Sequence, residues 1–233
     1  MTVIAVIPAR YGSTRFPGKP LHAIAGVPMV ERVRRLAMAA PSIDRVIVAT
    51  DDARIAEAVE GFGGQAVMTP ASCRNGTERC FAAVKDFAAP GDVVVNLQGD
   101  APLTPPWVIE AAASAMAEDP ELNLATPATA LTEDAYARLA SAKAAGEVGG
   151  TTVVFDRAMN ALYFSKAIIP FRREDAGVPV YKHIGLYAYR FAALETLVGL
   201  EPSPLERTES LEQLRALENG IAIRIVLTDY CGR

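Results

Sequence analysis

The apolar run that opens the chain ends at Pro8, and the loop after it, as far as Leu21, holds Arg10, Arg15 and Lys19 within ten residues, with no acid among them. Two glycines, two further prolines after Pro8 and the hydroxyls of Ser13 and Thr14 complete the stretch PARYGSTRFPGKPL. Glycine-exposed backbone N–H groups and forked guanidinium donors suit the oxygens of a polyanion such as a phosphate chain. The pattern is not GxxxxGK[ST], which excludes a P-loop, nor GxGxxG, which would have supported a dinucleotide fold. Two more polar stretches follow apolar runs. In CRNGTER (Cys73–Arg79), Gly76 lets backbone approach a ligand closely, and either Asn75 or Thr77 can cap the next helix. In NLQGD, Asp100 is either a turn former before Pro102 or a Mg²⁺ ligand, because Mg²⁺ takes one or two carboxylates plus substrate phosphates.

The elements that must position these loops alternate in type. VIAVIP (Val3–Pro8), RVIVAT (Arg45–Thr50), QAVMT (Gln65–Thr69), DVVVNLQGD (Asp92–Asp100) and LNLATPAT read as strands. Helical patterns lie between them, over Pro28–Ala40, from Asp51 or Asp52 through ARIAEAVEGF, over 77–88 and over Pro105–Asp119. This alternation predicts an α/β fold: a mostly parallel, Rossmann-like three-layer sheet with helices on both faces and ligands beyond the carboxyl ends of its strands. After Thr129 the rhythm changes. Thr151–Phe171 and Tyr181–Arg190 read as antiparallel strands, with Tyr187 and Tyr189 on one face. Ser141–Gly150 reads as a mobile loop, Leu205–Gly220 as one strong helix ended by its glycine, and IAIRIVLTD as a closing strand. The expected division is a nucleotide-binding core over 1–130, a smaller antiparallel lobe for sugar binding and dimerisation over 131–205, and a returning helix and strand over 206–233. Together these make one compact unit.

Composition narrows the class. The chain has 233 residues, 51% of them hydrophobic, and a net charge of −4, so a sizeable core is expected and general nucleic-acid binding is not. Three cysteines without a CxxC spacing suggest neither a disulfide framework nor a zinc site, and favour a reducing compartment. MTVIAVIPAR lacks the basic start and long apolar stretch of a signal peptide, and no apolar run reaches membrane-spanning length. A soluble, cytoplasmic protein is expected.

Six ordered stretches, PARYGSTRFPGKPL, NGTER, NLQGD, ALYFSKAIIPF, KHIGLYAYR and PSPLERTESLEQLRAL, together resemble the 3-deoxy-manno-octulosonate cytidylyltransferase (CMP-Kdo synthetase) family over nearly the whole chain. The resemblance implies transfer of CMP from CTP to the anomeric hydroxyl of a Kdo-like 3-deoxy sugar acid, releasing pyrophosphate and giving an activated sugar for lipopolysaccharide or capsule. It implies Arg10, Arg15 and Lys19 as the triphosphate clamp and Asp100 as the Mg²⁺ ligand. Pro8, Ala9, Arg10, Ser13, Lys19, Asn75, Gly76 and Thr77 would hold the nucleotide. Arg79, Gln98, His183, Tyr187, Glu209, Glu212 and Gln213 would form the sugar-acid site, a mixture of donors and acceptors suited to a hydroxylated carboxylate. The antiparallel lobe around Thr151–Phe171 is expected to make a homodimer interface, with YFSKAIIPF contributing to the contact. Two departures stand out. The family's Gly-Asp-Glu-Pro reads GDAP here, with Ala101 in place of the glutamate, and the family's Val-Asp-Thr-Pro-Glu-Asp segment with its second metal carboxylate has no counterpart in LTDYCGR. Asp229 does not match that segment and takes no role from it. The alternatives are a cytidylyltransferase for an amino-Kdo or nonulosonic acid, and a catalytically weak nucleotide-binding homologue.

Overall fold

The computed structural model describes residues 1–12, 16–174 and 177–230. Strand β1 (Val3–Ala9) is buried along almost its whole length, as an apolar run without alternation demands when both sheet faces are covered. A 3₁₀ turn over Lys19–Leu21 and a two-residue hairpin, β2 (Ala23–Ile24) and β3 (Val27–Pro28), lead to helix α1 (Met29–Met38). Then come β4 (Arg45–Thr50), α2 (Ala53–Gly61), β5 (Gln65–Met68), α3 (Gly76–Val84), β6 (Val93–Leu97), α4 (Pro106–Glu118) and β7 (Leu124–Ala130). Asp52 caps α2 by accepting from the Arg54 N–H, and Asn75 caps α3 by accepting from the Glu78 N–H at 2.8 Å. The second half adds α5 (Glu133–Ala144), β8 (Thr152–Phe155), β9 (Ala161–Ser165), β10 (Tyr181–His183), β11 (Leu186–Arg190), α6 (Phe191–Val198), α7 (Pro204–Glu209), α8 (Gln213–Glu218) and β12 (Arg224–Leu227).

Ten strands form one sheet in the order β5-β4-β1-β6-β11-β7-β10-β8-β9, with β12 also paired to β7. The pairings β1–β4, β1–β6, β4–β5 and β7–β12 are parallel, whereas β11 runs antiparallel between β6 and β7. Since β10 opposes β7 and β8 opposes β10, seven of the ten strands share one direction, and only β9, β10 and β11 oppose it. On one face α1, α2 and α4 cover an apolar layer containing Val33, Ile55, Val59 and Ile109. On the other, α3, α6 and α8 cover a layer containing Val84, Phe164, Leu194 and Leu214. This is the expected three-layer α/β architecture. The antiparallel strands continue the same sheet through the β7–β10 pairing instead of forming a sheet of their own.

Two local expectations give way. Residues 133–144 are helical, so the segment expected to be a loop from Ser141 begins within the last turn of α5. No residue of α5 is buried, so it carries no apolar stripe for periodicity to register. Its ends hold it: Thr132 accepts from the Ala135 N–H, Glu133 and Asp134 occupy the first turn, and Lys143 the last. The helix expected over Leu205–Gly220 is two. Ser210 adopts φ of 53° and turns the chain, Leu211 drops into the core, and Arg215 on α8 folds back onto Glu206 on α7 at 2.6 and 2.8 Å. Gly220, at φ of 73°, closes α8 as expected.

Candidate active site

The loops leaving β1 and β6 and the N-terminus of α3 meet at the carboxyl end of the parallel strands. They enclose a cleft of about 720 Å³ lined by Pro8, Ala9, Arg10, Lys19, Asn75, Gly76, Arg79, Gln98 and Asp100, together with Phe16, Pro20, Cys73, Arg74 and Gly99. Most of the residues expected at the nucleotide are therefore on one surface. Gly99 makes this closure possible: a Cβ there would lie 2.7 Å from the Pro8 carbonyl oxygen, so only glycine lets the two strand ends approach. The opening loop is pinned at its flanks. Gly18 donates its N–H to the Tyr11 carbonyl at 2.9 Å, and the Arg54 guanidinium stacks 3.4 Å above the Tyr11 ring. Ser13 and Arg15 lie outside the described residues.

Lys19 Nζ reaches Asp100 Oδ2 at 2.7 Å across the cleft. Among the described residues no group of three or more His, Cys, Asp or Glu side chains could hold a metal. Asp100 is the one carboxylate among the described residues that line the cleft, and a lone carboxylate in a basic pocket fits Mg²⁺ that draws its other ligands from phosphate and water. Arg79 is buried and already engaged, with Nη1 donating to Thr69 Oγ1 at 2.6 Å and Nη2 to Asp51 Oδ2 at 2.9 Å. Thr77 is also buried, accepting from Asn96 Nδ2 at 3.3 Å, and does not line the cleft.

A second cavity of about 540 Å³ adjoins the first, shares Gln98 and Asp100 with it, and includes His183, Lys182, Arg138 and Tyr230 in its lining. The remaining residues expected at the sugar acid, Tyr187, Glu209, Glu212 and Gln213, line neither cavity. His183, Tyr187 and Tyr189 form a ring ladder, with centroids 5.4 and 5.9 Å apart. Burial, aided by the Lys166 charge, holds the His183 imidazole down to about 3, so it is neutral at physiological pH. Burial, with Glu212 nearby, pushes the Tyr187 phenol up. Burial also raises the Glu212 carboxyl above its ordinary value, against hydrogen bonding from Thr77 and the charge of Arg215. The Gln213 side chain is buried, with its Nε2 unpartnered among the described residues. Glu209 accepts from Ser165 Oγ at 2.7 Å and from the Lys166 N–H at 2.8 Å, tying α7 to the end of β9.

A cytidylyltransferase family model matches residues 4–224. The 3-deoxy-manno-octulosonate cytidylyltransferase of Maricaulis maris (strain MCS10) is 63% identical, the alignment covering 100% of this chain and 90% of that one. The chain belongs to the 3-deoxy-manno-octulosonate cytidylyltransferase family. It is thus a CTP-dependent nucleotidyltransferase by family. The 8-amino-3,8-dideoxy-manno-octulosonate cytidylyltransferase of Shewanella halifaxensis (strain HAW-EB4) is 44% identical over 99% of this chain and 91% of its own. A solved CMP:2-keto-3-deoxy-manno-octonic acid synthetase complexed with CTP superposes with a TM-score of 0.88 at 39% identity, covering 98% of this chain and 90% of that one.

Sequence reasoning missed Arg74 and Phe16 in the cleft, although Arg74 lies inside the polar stretch already singled out. Arg74 is paired with Glu78 at 2.5 Å, an i,i+4 contact that spacing alone would assign to helix support. It also missed Thr126, which holds His183 at 2.8 Å, because a threonine inside an apolar strand carries no signal beyond β propensity.

Proposed function

We propose that this chain transfers the CMP group of CTP to the anomeric hydroxyl of 3-deoxy-manno-octulosonate, releasing pyrophosphate. The observation that carries the reading is the convergence of Arg10, Lys19, Asn75, Gly76, Gln98 and Asp100 on one cleft, in a chain 63% identical to a protein bearing that name. Attack of the sugar oxygen on the α-phosphorus breaks the bond to the β-phosphate oxygen. The work left to the protein is to hold those oxygens in line and neutralise the leaving group. Arg10 and Lys19 take the phosphate oxygens, joined by Arg15 and Ser13 of the same loop. Pro8, Ala9 and the Asn75–Thr77 segment border the base. Asp100 would hold Mg²⁺, which when bound supplies charge neutralisation on the phosphates. Gln98 and His183 receive the sugar acid in the second cavity, Tyr187 packs against the His183 ring, and Arg79, Glu209, Glu212 and Gln213 complete the expected set from outside that cavity. The site faces cytoplasmic CTP.

We further propose a homodimer through the β9 edge and the segment that follows it, where Leu162 is 62% and Phe171 88% exposed, and sedimentation at micromolar concentration tests it. Pyrophosphate release from CTP, Mg²⁺ and 3-deoxy-manno-octulosonate tests the activity, and its absence overturns the proposal. Among relatives, the 44% match to an 8-amino-3,8-dideoxy enzyme makes that acid the competitor to assay, with the higher kcat/KM expected for the hydroxylated sugar.

A further inference from the structure

Thr126 lies on β7, fully buried, and its single hydroxyl meets three neighbours: His183 Nε2 at 2.8 Å, the Leu186 carbonyl at 2.6 Å and the Ile184 carbonyl at 3.4 Å. Carbonyl oxygens only accept, so the one hydroxyl proton goes to Leu186, the nearer of the two. The threonine oxygen is then left with lone pairs alone, and the contact with the ring requires Nε2 to donate. A neutral imidazole carries one proton, so Nδ1 must be bare. Among the described residues Nδ1 has no hydrogen-bond partner, and it is not one of the sealed, partnerless polar atoms of the interior. Phe164 and Tyr187, with ring centroids 5.1 and 5.4 Å away, hold the ring from two sides.

We infer that Thr126 is a positioning residue that locks His183 in the Nε2–H tautomer, making Nδ1 an obligate hydrogen-bond acceptor for a hydroxyl of the sugar acid. The inference rests on the proposed sugar-acid site and sharpens it. An acceptor-only nitrogen takes a hydroxyl or an amine N–H and repels a carboxylate, so His183 sets which way round the acid enters. The carboxylate must face elsewhere. A histidine free to change tautomer would bind either end.

The chain contains two histidines, His22 and His183, which makes the tautomer directly readable. In ¹⁵N-histidine-labelled protein the exposed His22 and the buried His183 give separate signals, and the second ring should keep one protonation state through the neutral range. That second ring should show a protonated, pyrrole-type Nε2 and a bare, pyridine-type Nδ1, and a His22→Gln variant assigns it. An Nδ1–H signature overturns the inference, whether or not the protein turns over any sugar. Thr126→Val should abolish the tautomer preference and raise KM for 3-deoxy-manno-octulosonate roughly tenfold, with KM for CTP unchanged. Thr126→Ser should restore both. Retention of the Nε2–H form and of the wild-type KM in Thr126→Val overturns the role of Thr126. Loss of folding in the valine variant leaves the serine variant and the wild-type spectrum as the deciding readouts.

Discussion

Lys19 and Asp100 hold each other across the cleft, and a pair this exposed contributes little to stability. Either can therefore exchange its partner for phosphate or metal without weakening the fold. Lys19→Ala should lower kcat/KM by an amount equivalent to about 2–4 kcal/mol of transition-state stabilisation, with the urea unfolding midpoint nearly unmoved. Asp100→Asn should abolish Mg²⁺-dependent turnover in a folded protein, and an unchanged Mg²⁺ titration would contradict its role. Glu212 behaves differently, because burial raises its carboxyl above the ordinary value. Its folded form binds the proton more tightly than its unfolded form. The native state is therefore penalised as pH rises from the ordinary carboxylate value through the raised one, and stays penalised at neutrality. Glu212→Gln should accordingly raise Tm at neutral pH, with the gain vanishing on acidification below the ordinary carboxylate range, while sugar-acid affinity falls. Arg10, Lys19 and Gly76 of the cleft were legible because their types and spacing are local. Thr126 and the Arg79–Asp51–Thr69 contacts were not, since each joins distant strands and loops through side chains that read as ordinary strand or helix residues.

At the scale of elements, the bend between α7 and α8 brings Arg215 onto Glu206, and Arg215 is only 2% exposed. Glu206→Ala should destabilise the protein by about 3–5 kcal/mol in denaturant titration, because it leaves a buried guanidinium without its carboxylate. Burial opposes ionisation of Glu206, but its hydrogen bonds with Arg215 hold the carboxyl below the usual range. The stabilisation is thus present at neutral pH and is lost as pH falls through that lowered value. The helical character of Leu205–Gly220 was legible in its pattern, whereas the bend was not: it is set by burial of Leu211 and by the Arg215 contact, both tertiary. The reverse holds for α5, whose caps were present in the sequence while its apolar stripe was absent. Where β1 and β6 end, Gly99→Ala should force the two loops apart and cost activity more than stability, seen as a fall in kcat/KM larger than the shift in unfolding midpoint.

Across the whole molecule, strand alternation made the parallel half of the sheet legible, but not the insertion of β11 between β6 and β7. Pairing between strands so distant in sequence leaves no local pattern, and only the antiparallel sense of Tyr181–Arg190 was readable. A fragment comprising residues 1–130 should therefore fail to give a cooperative unfolding transition, because β6 would lack one of its two partners. That dependence also imposes a timetable on synthesis. Val93–Leu97 leaves the ribosome about ninety residues before Leu186–Arg190, and translation at common rates makes that interval on the order of ten seconds. Throughout it, the nascent chain carries a wholly apolar strand, VVVNL but for one asparagine, with an uncovered edge open to any neighbouring polysome product. The same insertion that completes the sheet thus leaves the half-made protein with an open, aggregation-prone edge until Tyr187 and its neighbours arrive.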